Sequence, residues 1–132
     1  MATTQEALQV GTIAPSLTVD DLQKSIRFYE ALGFVVGDKW EEGGALIGVM
    51  MRAGKNEIGL NQDDWKKGRD RQKGVGVRLM ISTPQSVDEI ARRAKSAGLP
   101  LKSEPHDTEW NSRAFEVIDP TGFLLTIYSE PA

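Results

Sequence analysis

The chain has 132 residues, enough for one domain with a core of its own. It is 39% hydrophobic and 27% charged, with a formal net charge of -3, so electrostatics give no case for nucleic acid or an anionic membrane. With no cysteine, disulfides, thiolate metal sites and cysteine nucleophiles are excluded.

The opening residues Met1 to Glu6 lack a basic start followed by an apolar core, which predicts no signal peptide. No apolar run approaches the ~20 residues that a membrane helix needs. A soluble, cytoplasmic protein is therefore the expectation. The first regular segment alternates, with Ile13, Pro15, Leu17 and Val19 on one parity and Ala14, Ser16 and Thr18 on the other, which predicts a strand. A helix is predicted over 22–32, with Leu22, Ile26 and Tyr29 on one stripe. Asp20 is its candidate N-cap, and Gly33 closes it. Strand-like runs follow at 34–40, 45–52 and 57–61. The charged stretch from Gln62 to Lys73 has neither period and reads as a solvated linker.

The pattern then repeats. Val75, Val77, Leu79 and Ile81 alternate with Gly76, Arg78 and Met80. Val87, Ile90, Ala91 and Ala94 sit at helical spacing over 87–97, behind a capping box from Ser86 to Glu89 and ahead of Gly98. Strands are predicted at 101–104, 113–118 and 123–128, the last two joined by a turn at Asp119 to Gly122. The order is β-α-β-β-β twice, with Gly33 and Gly98 offset by 65 residues and Val19 and Ile81 by 62. The whole chain, 1–132, reads as a single α+β domain: a first module at 8–61, a linker at 62–73 and a second module at 74–130. Two such modules can join into a curved, mixed eight-stranded sheet with the helices on its outer face.

Two distant segments carry a family resemblance. Leu17 to Phe34 (LTVDDLQKSIRFYEALGF) resembles the opening of the vicinal oxygen chelate superfamily, which includes glyoxalase I, extradiol dioxygenases and bleomycin-resistance proteins. Trp110 to Ile127 (WNSRAFEVIDPTGFLLTI) resembles its end, above all in glyoxalase-like and bleomycin-resistance-like members. The resemblance implies the two-module fold and a ligand pocket on the concave sheet. It also implies a homodimer, because such sheets commonly complete their cavities across two chains. The fold hosts unrelated chemistries, so activity has to be read from the site.

Metal-dependent relatives place one ligand on the first and one on the last strand of each module, usually His, Gln or Glu. Set on this sequence, those positions are Ala14, Gly59, Gly76 and Thr126. Three lack any donor side chain, and a lone Thr hydroxyl is a poor ligand for a transition metal, so no metal or other cofactor is expected. Residues of the same parity share the concave face: Ala14, Ser16 and Thr18; Glu57, Gly59 and Asn61; Gly76, Arg78 and Met80; Leu124, Thr126 and Tyr128.

Arg78 could grip an anionic group by a two-pronged hydrogen bond, or form an ion pair with Glu57 or Glu116. Glu57 carries the same ambiguity and is a candidate acid–base group. Trp65 and Trp110, on loops, are candidate aromatic walls, whereas Trp40 in a strand reads as core or dimer packing. Met50, Met51 and Met80 read as core filler. His106, the only histidine, is either a catalytic base or weak ligand, with Glu109 or Glu116 as partner, or a surface residue of a polar loop.

Three functions stay open. The first is a metal-independent protein that sequesters a small anionic or aromatic molecule through Arg78, Glu57, Asn61, Thr126 and Tyr128, with Trp65 or Trp110 as a wall. The second is a glyoxalase-like lyase or isomerase using unforeseen metal ligands or Glu57 as acid and base. The third is a non-catalytic regulatory or interaction module.

Overall fold

A computed structural model describes residues 7–130; Met1 to Glu6, where the sequence predicts no signal peptide, lie outside the described residues. Two helices and eight strands follow one another as β1 (Ser16–Val19), α1 (Leu22–Ala31), β2 (Val35–Glu42), β3 (Ala45–Ala53), β4 (Asn56–Gln62), β5 (Arg78–Thr83), α2 (Val87–Ser96), β6 (Ser103–Asp107), β7 (Arg113–Ile118) and β8 (Leu124–Ser129). The duplicated order thus stands, in an α+β fold. The strands form two four-stranded sheets, ordered β1-β4-β3-β2 and β5-β8-β7-β6, rather than one continuous ladder within the chain. In each, the first and last strands of the module are parallel and the others antiparallel, so both sheets are mixed. β1 and β2 are the edge strands of the first sheet and β5 and β6 those of the second.

The repeat extends to helix chemistry. At the end of α1, Gly33 N–H donates to Glu30 O and Phe34 N–H to Tyr29 O, both at 3.0 Å. At the end of α2, Gly98 N–H donates to Lys95 O and Leu99 N–H to Ala94 O, both at 2.9 Å. Both are Schellman closures, which need a left-handed residue that glycine supplies at φ +106 and +87. At the other ends, Ser86 caps α2 by accepting from Glu89 N–H, while α1 is capped by Asp21, accepting from Lys24 N–H at 3.1 Å, and not by Asp20. Asp20 is drawn away, its carboxylate pairing with Lys73.

The apolar parity of the strands packs under the helices. Leu17, Val19, Ile58 and Leu60 of the first module and Leu125 and Ile127 of the second are buried in one cluster with Ile26, Tyr29, Ala91 and Ala94. This fixes the opposite parity as the face turned away from the helices. The segment read as a solvated linker has no regular structure between β4 and β5, and its ends are anchored. Asp63 is buried and accepts from Trp65 N–H at 2.9 Å and Arg71 at 3.0 Å, and pairs with Lys73 at 2.8 Å. Ion pairing beats solvation here because three donors converge on one carboxylate.

Candidate functional site

The strand register converts parity into rows of side chains. On the first sheet one row runs Thr18, Asn61, Gly48, Trp40, and the next Ser16, Gly59, Met50. On the second sheet the rows are Arg78, Leu124, Ile118; Met80, Thr126, Glu116, Ser103; and Ser82, Tyr128, Ala114, His106.

The register also moves two of the metal-equivalent positions. Gly59 faces Ser16 and Thr126 faces Met80, whereas Ala14 and Gly76 lie ahead of β1 and β5, outside regular structure. A strand starts where its ladder partner starts, and alternation alone does not mark that point. The first-strand partners, Ser16 and Met80, supply one hydroxyl and one thioether beside Gly59 and Thr126, a set that does not fit the His, Gln and Glu donors of a transition-metal centre. Among the described residues no three His, Asp or Glu side chains converge as metal ligands.

Of the candidate residues, Arg78 is half-exposed and pairs with Glu116 at 3.5 Å. Glu116 is also approached by Thr126 Oγ1 at 3.4 Å and Ser103 Oγ at 3.5 Å, so it is the hub of the second face. Glu57 is committed elsewhere, accepting from Arg52 Nε at 3.0 Å, and Arg52 also pairs with Asp38. Thr126 is buried, and Tyr128 meets Trp110 edge to face with centroids 5.2 Å apart. Trp110 is half-exposed, so this pair forms an aromatic wall at one end of the second sheet.

His106 belongs to β6 rather than to a loop. Pro105 cannot donate to the ladder, and the register slips between Ser103 and His106. The His106 ring is exposed and its Nδ1 lies 2.8 Å from Glu104 O, away from Glu109 and Glu116 as hydrogen-bond partners. Trp65 stands apart from both faces, at φ 64 in the linker, with Arg69 and Lys73 each 4.7 Å from its ring. It braces the linker through cation–π contacts.

The first sheet holds what the sequence reading passed over. Trp40 is 46% exposed, on the same face as Asn61 and Ser16, and not in the core. A Cβ at Gly48 would lie 3.2 Å from both Trp40 Cε3 and Asn61 Oδ1, so the missing side chain is what lets the indole settle on the sheet. Gly59 likewise makes room for the Met50 thioether, 3.2 Å from a Cβ placed there. The available signal was a glycine inside a strand, which marks close approach of another group. Asn61 Nδ2 donates to Ser16 Oγ at 2.7 Å.

The two modules, two sheets and paired faces define a small α+β protein of the kind the sequence resembles. A family model for the glyoxalase/bleomycin resistance protein/dioxygenase superfamily matches residues 9–127, and the chain belongs to that superfamily. No curated protein matches it in sequence. Among solved structures it is similar to TioX from Micromonospora sp. ML1, at 16% identity and TM-score 0.73 over 91% of this chain and 98% of that one. A superfamily member from Sphaerobacter thermophilus is 21% identical, with TM-score 0.70 over 92% and 98%. Lactoylglutathione lyase from Agrobacterium tumefaciens is 17% identical, with TM-score 0.66 over 92% and 94%. At these identities the likeness establishes the fold. No helix among the described residues is long and apolar enough to cross a membrane.

Proposed function

We propose that the protein binds a small, planar organic molecule on its open sheet faces and releases it unchanged, without a metal. The observation that carries this reading is the donor chemistry of the four metal-equivalent positions, set beside exposed aromatic surface on both faces. Glycine at Gly48 and Gly59 clears space for Trp40 and Met50, and Trp110 with Tyr128 offers a second flat wall. Of the acid–base candidates, Glu57 is engaged with Arg52 and Glu116 with Arg78, while His106 sits exposed on β6 with Nδ1 at Glu104 O.

The functional unit in this reading is a homodimer. Each chain leaves the β1 and β5 edges unpaired, and an open cleft of about 1370 Å³ runs beside β5, lined in part by Leu79, Ile81 and Ile90. A second copy that sets its β1 edge along β5 satisfies both ladders and brings a first-sheet face next to a second-sheet face.

Binding is tested by titrating a panel of planar aromatic compounds, with and without a carboxylate, into purified protein while elemental analysis is run on the same sample. Saturable binding with the compound recovered intact is expected. Turnover of a bound compound, or stoichiometric tight zinc, nickel or iron, overturns the reading.

A further inference from the structure

Resting on the binding reading above, we propose that Trp40, seated over Gly48 beside Asn61, is the stacking platform for a planar heteroaromatic ring that carries an N–H donor. The geometry separates this end of the site from the Arg78 end. Asn61 spends one amide N–H on Ser16, and its Oδ1 lies 3.2 Å from where a Gly48 Cβ would be, the same distance as Trp40 Cε3. A ring laid on Trp40 therefore meets an acceptor at its edge.

The arginine on the same face of β3 is already paired. Arg52, two residues from Met50 on β3, is held between Asp38 at 3.2 Å and Glu57 at 3.0 Å. That guanidinium is thus not offered to an anionic ring, whereas a neutral ring N–H can donate to the carbonyl of Asn61. The exposed indole presents an electron-rich face, and the Met50 thioether in the next row extends the apolar floor. Gly48 is then a specificity position, because a Cβ there, 3.2 Å from Trp40 Cε3, presses on the seat of the indole.

Indole and benzofuran test the idea, being matched in shape and differing in the ring N–H. Affinities are read by ligand-observed NMR against the wild type and the Trp40→Ala, Asn61→Leu and Gly48→Ala variants, each checked for a native melting transition. The wild type is expected to favour indole by roughly threefold to tenfold, the worth of one net hydrogen bond. Asn61→Leu is expected to abolish that preference while keeping benzofuran affinity. Trp40→Ala and Gly48→Ala are expected to weaken both probes, with Trp40→Phe retaining part of the affinity.

Equal affinity for the two probes in the wild type overturns the donor assignment. Binding that Trp40→Ala leaves unchanged, but Trp110→Ala removes, overturns the platform while leaving the binding function intact. If neither these probes nor any planar compound of the wider panel binds, the binding reading falls, and the platform with it.

Discussion

Tyr29 and Asp119 lie 90 positions apart and meet through a buried hydrogen bond of 3.0 Å from the phenol to Oδ2. The other carboxylate oxygen accepts from the backbone N–H groups of Thr121, Gly122 and Phe123, each at 2.9 Å. One side chain thus shapes the β7–β8 turn and ties it to α1 of the other module. Burial, reinforced by the neighbouring Asp119 carboxylate, pushes the Tyr29 hydroxyl well above the usual phenol range, so it stays a donor at every physiological pH. Tyr29→Phe removes one of four donors and is expected to cost about 1 kcal/mol, while Asp119→Ala strands three, Gly122 N–H keeping the Asp119 carbonyl, and is expected to cost about 3 kcal/mol. Denaturant unfolding of both variants checks the order; a larger loss for Tyr29→Phe contradicts it. The sequence places Tyr29 on the helix stripe and Asp119 in a turn, and both placements hold. Their bond was not legible, because periodicity says which way a side chain faces and not which distant residue it finds. Trp40 illustrates the same limit: its strand was legible, but the indole's seat depended on Gly48 in the neighbouring strand.

At the level of elements, the helices were the most legible part, since caps and glycine closures are local chemistry. The exception, Asp20 for Asp21, arose because Lys73, 53 residues on, competes for the Asp20 carboxylate. The linker carries no regular structure, as its lack of periodicity implied, but the contacts among its charges were not legible: Asp63, Lys73 and Arg71 fold onto one another. Hydrogen bonding from Lys73, aided by the Trp65 N–H, holds the Asp63 carboxyl down to about 2 despite its burial. Burial by itself would lower Lys73, but its bonds to Asp20 and Asp63 outweigh that and hold its ammonium above the ordinary lysine range. A carboxyl depressed on folding stabilises the native state above its unfolded value, about 3.9, and the stabilisation is lost as pH falls through the folded value. Asp63→Asn is therefore expected to melt below the wild type at neutral pH, the gap closing between about pH 4 and about pH 2. Thermal melts across that range check it; a gap constant with pH would place the defect in packing instead of charge.

For the whole molecule, the duplication was legible because both halves spend similar residues on the same local tasks. How the halves meet was not, because an edge strand and a central strand share one alternation. The β1 and β5 edges coincide with exposed apolar side chains: Ile13 ahead of β1 is 78% exposed and Val75 ahead of β5 is 75% exposed. Leu79, Ile81 and Ile90 beneath them are only partly covered within the chain. An edge strand with apolar flanks that nothing covers invites pairing with another copy. Light scattering is expected to give about twice the 14.5 kDa of one chain. The paired change Ile13→Glu and Val75→Glu puts like charges where the two edges approach, at positions that contribute little to the core of either chain. It is expected to yield a folded monomer with circular dichroism unchanged. It should also weaken any ligand that bridges Trp40 of one copy and the Trp110–Tyr128 wall of the other, as the proposed pairing would allow. A wild type that stays monomeric at high protein concentration contradicts the assembly, and each face would then have to bind on its own.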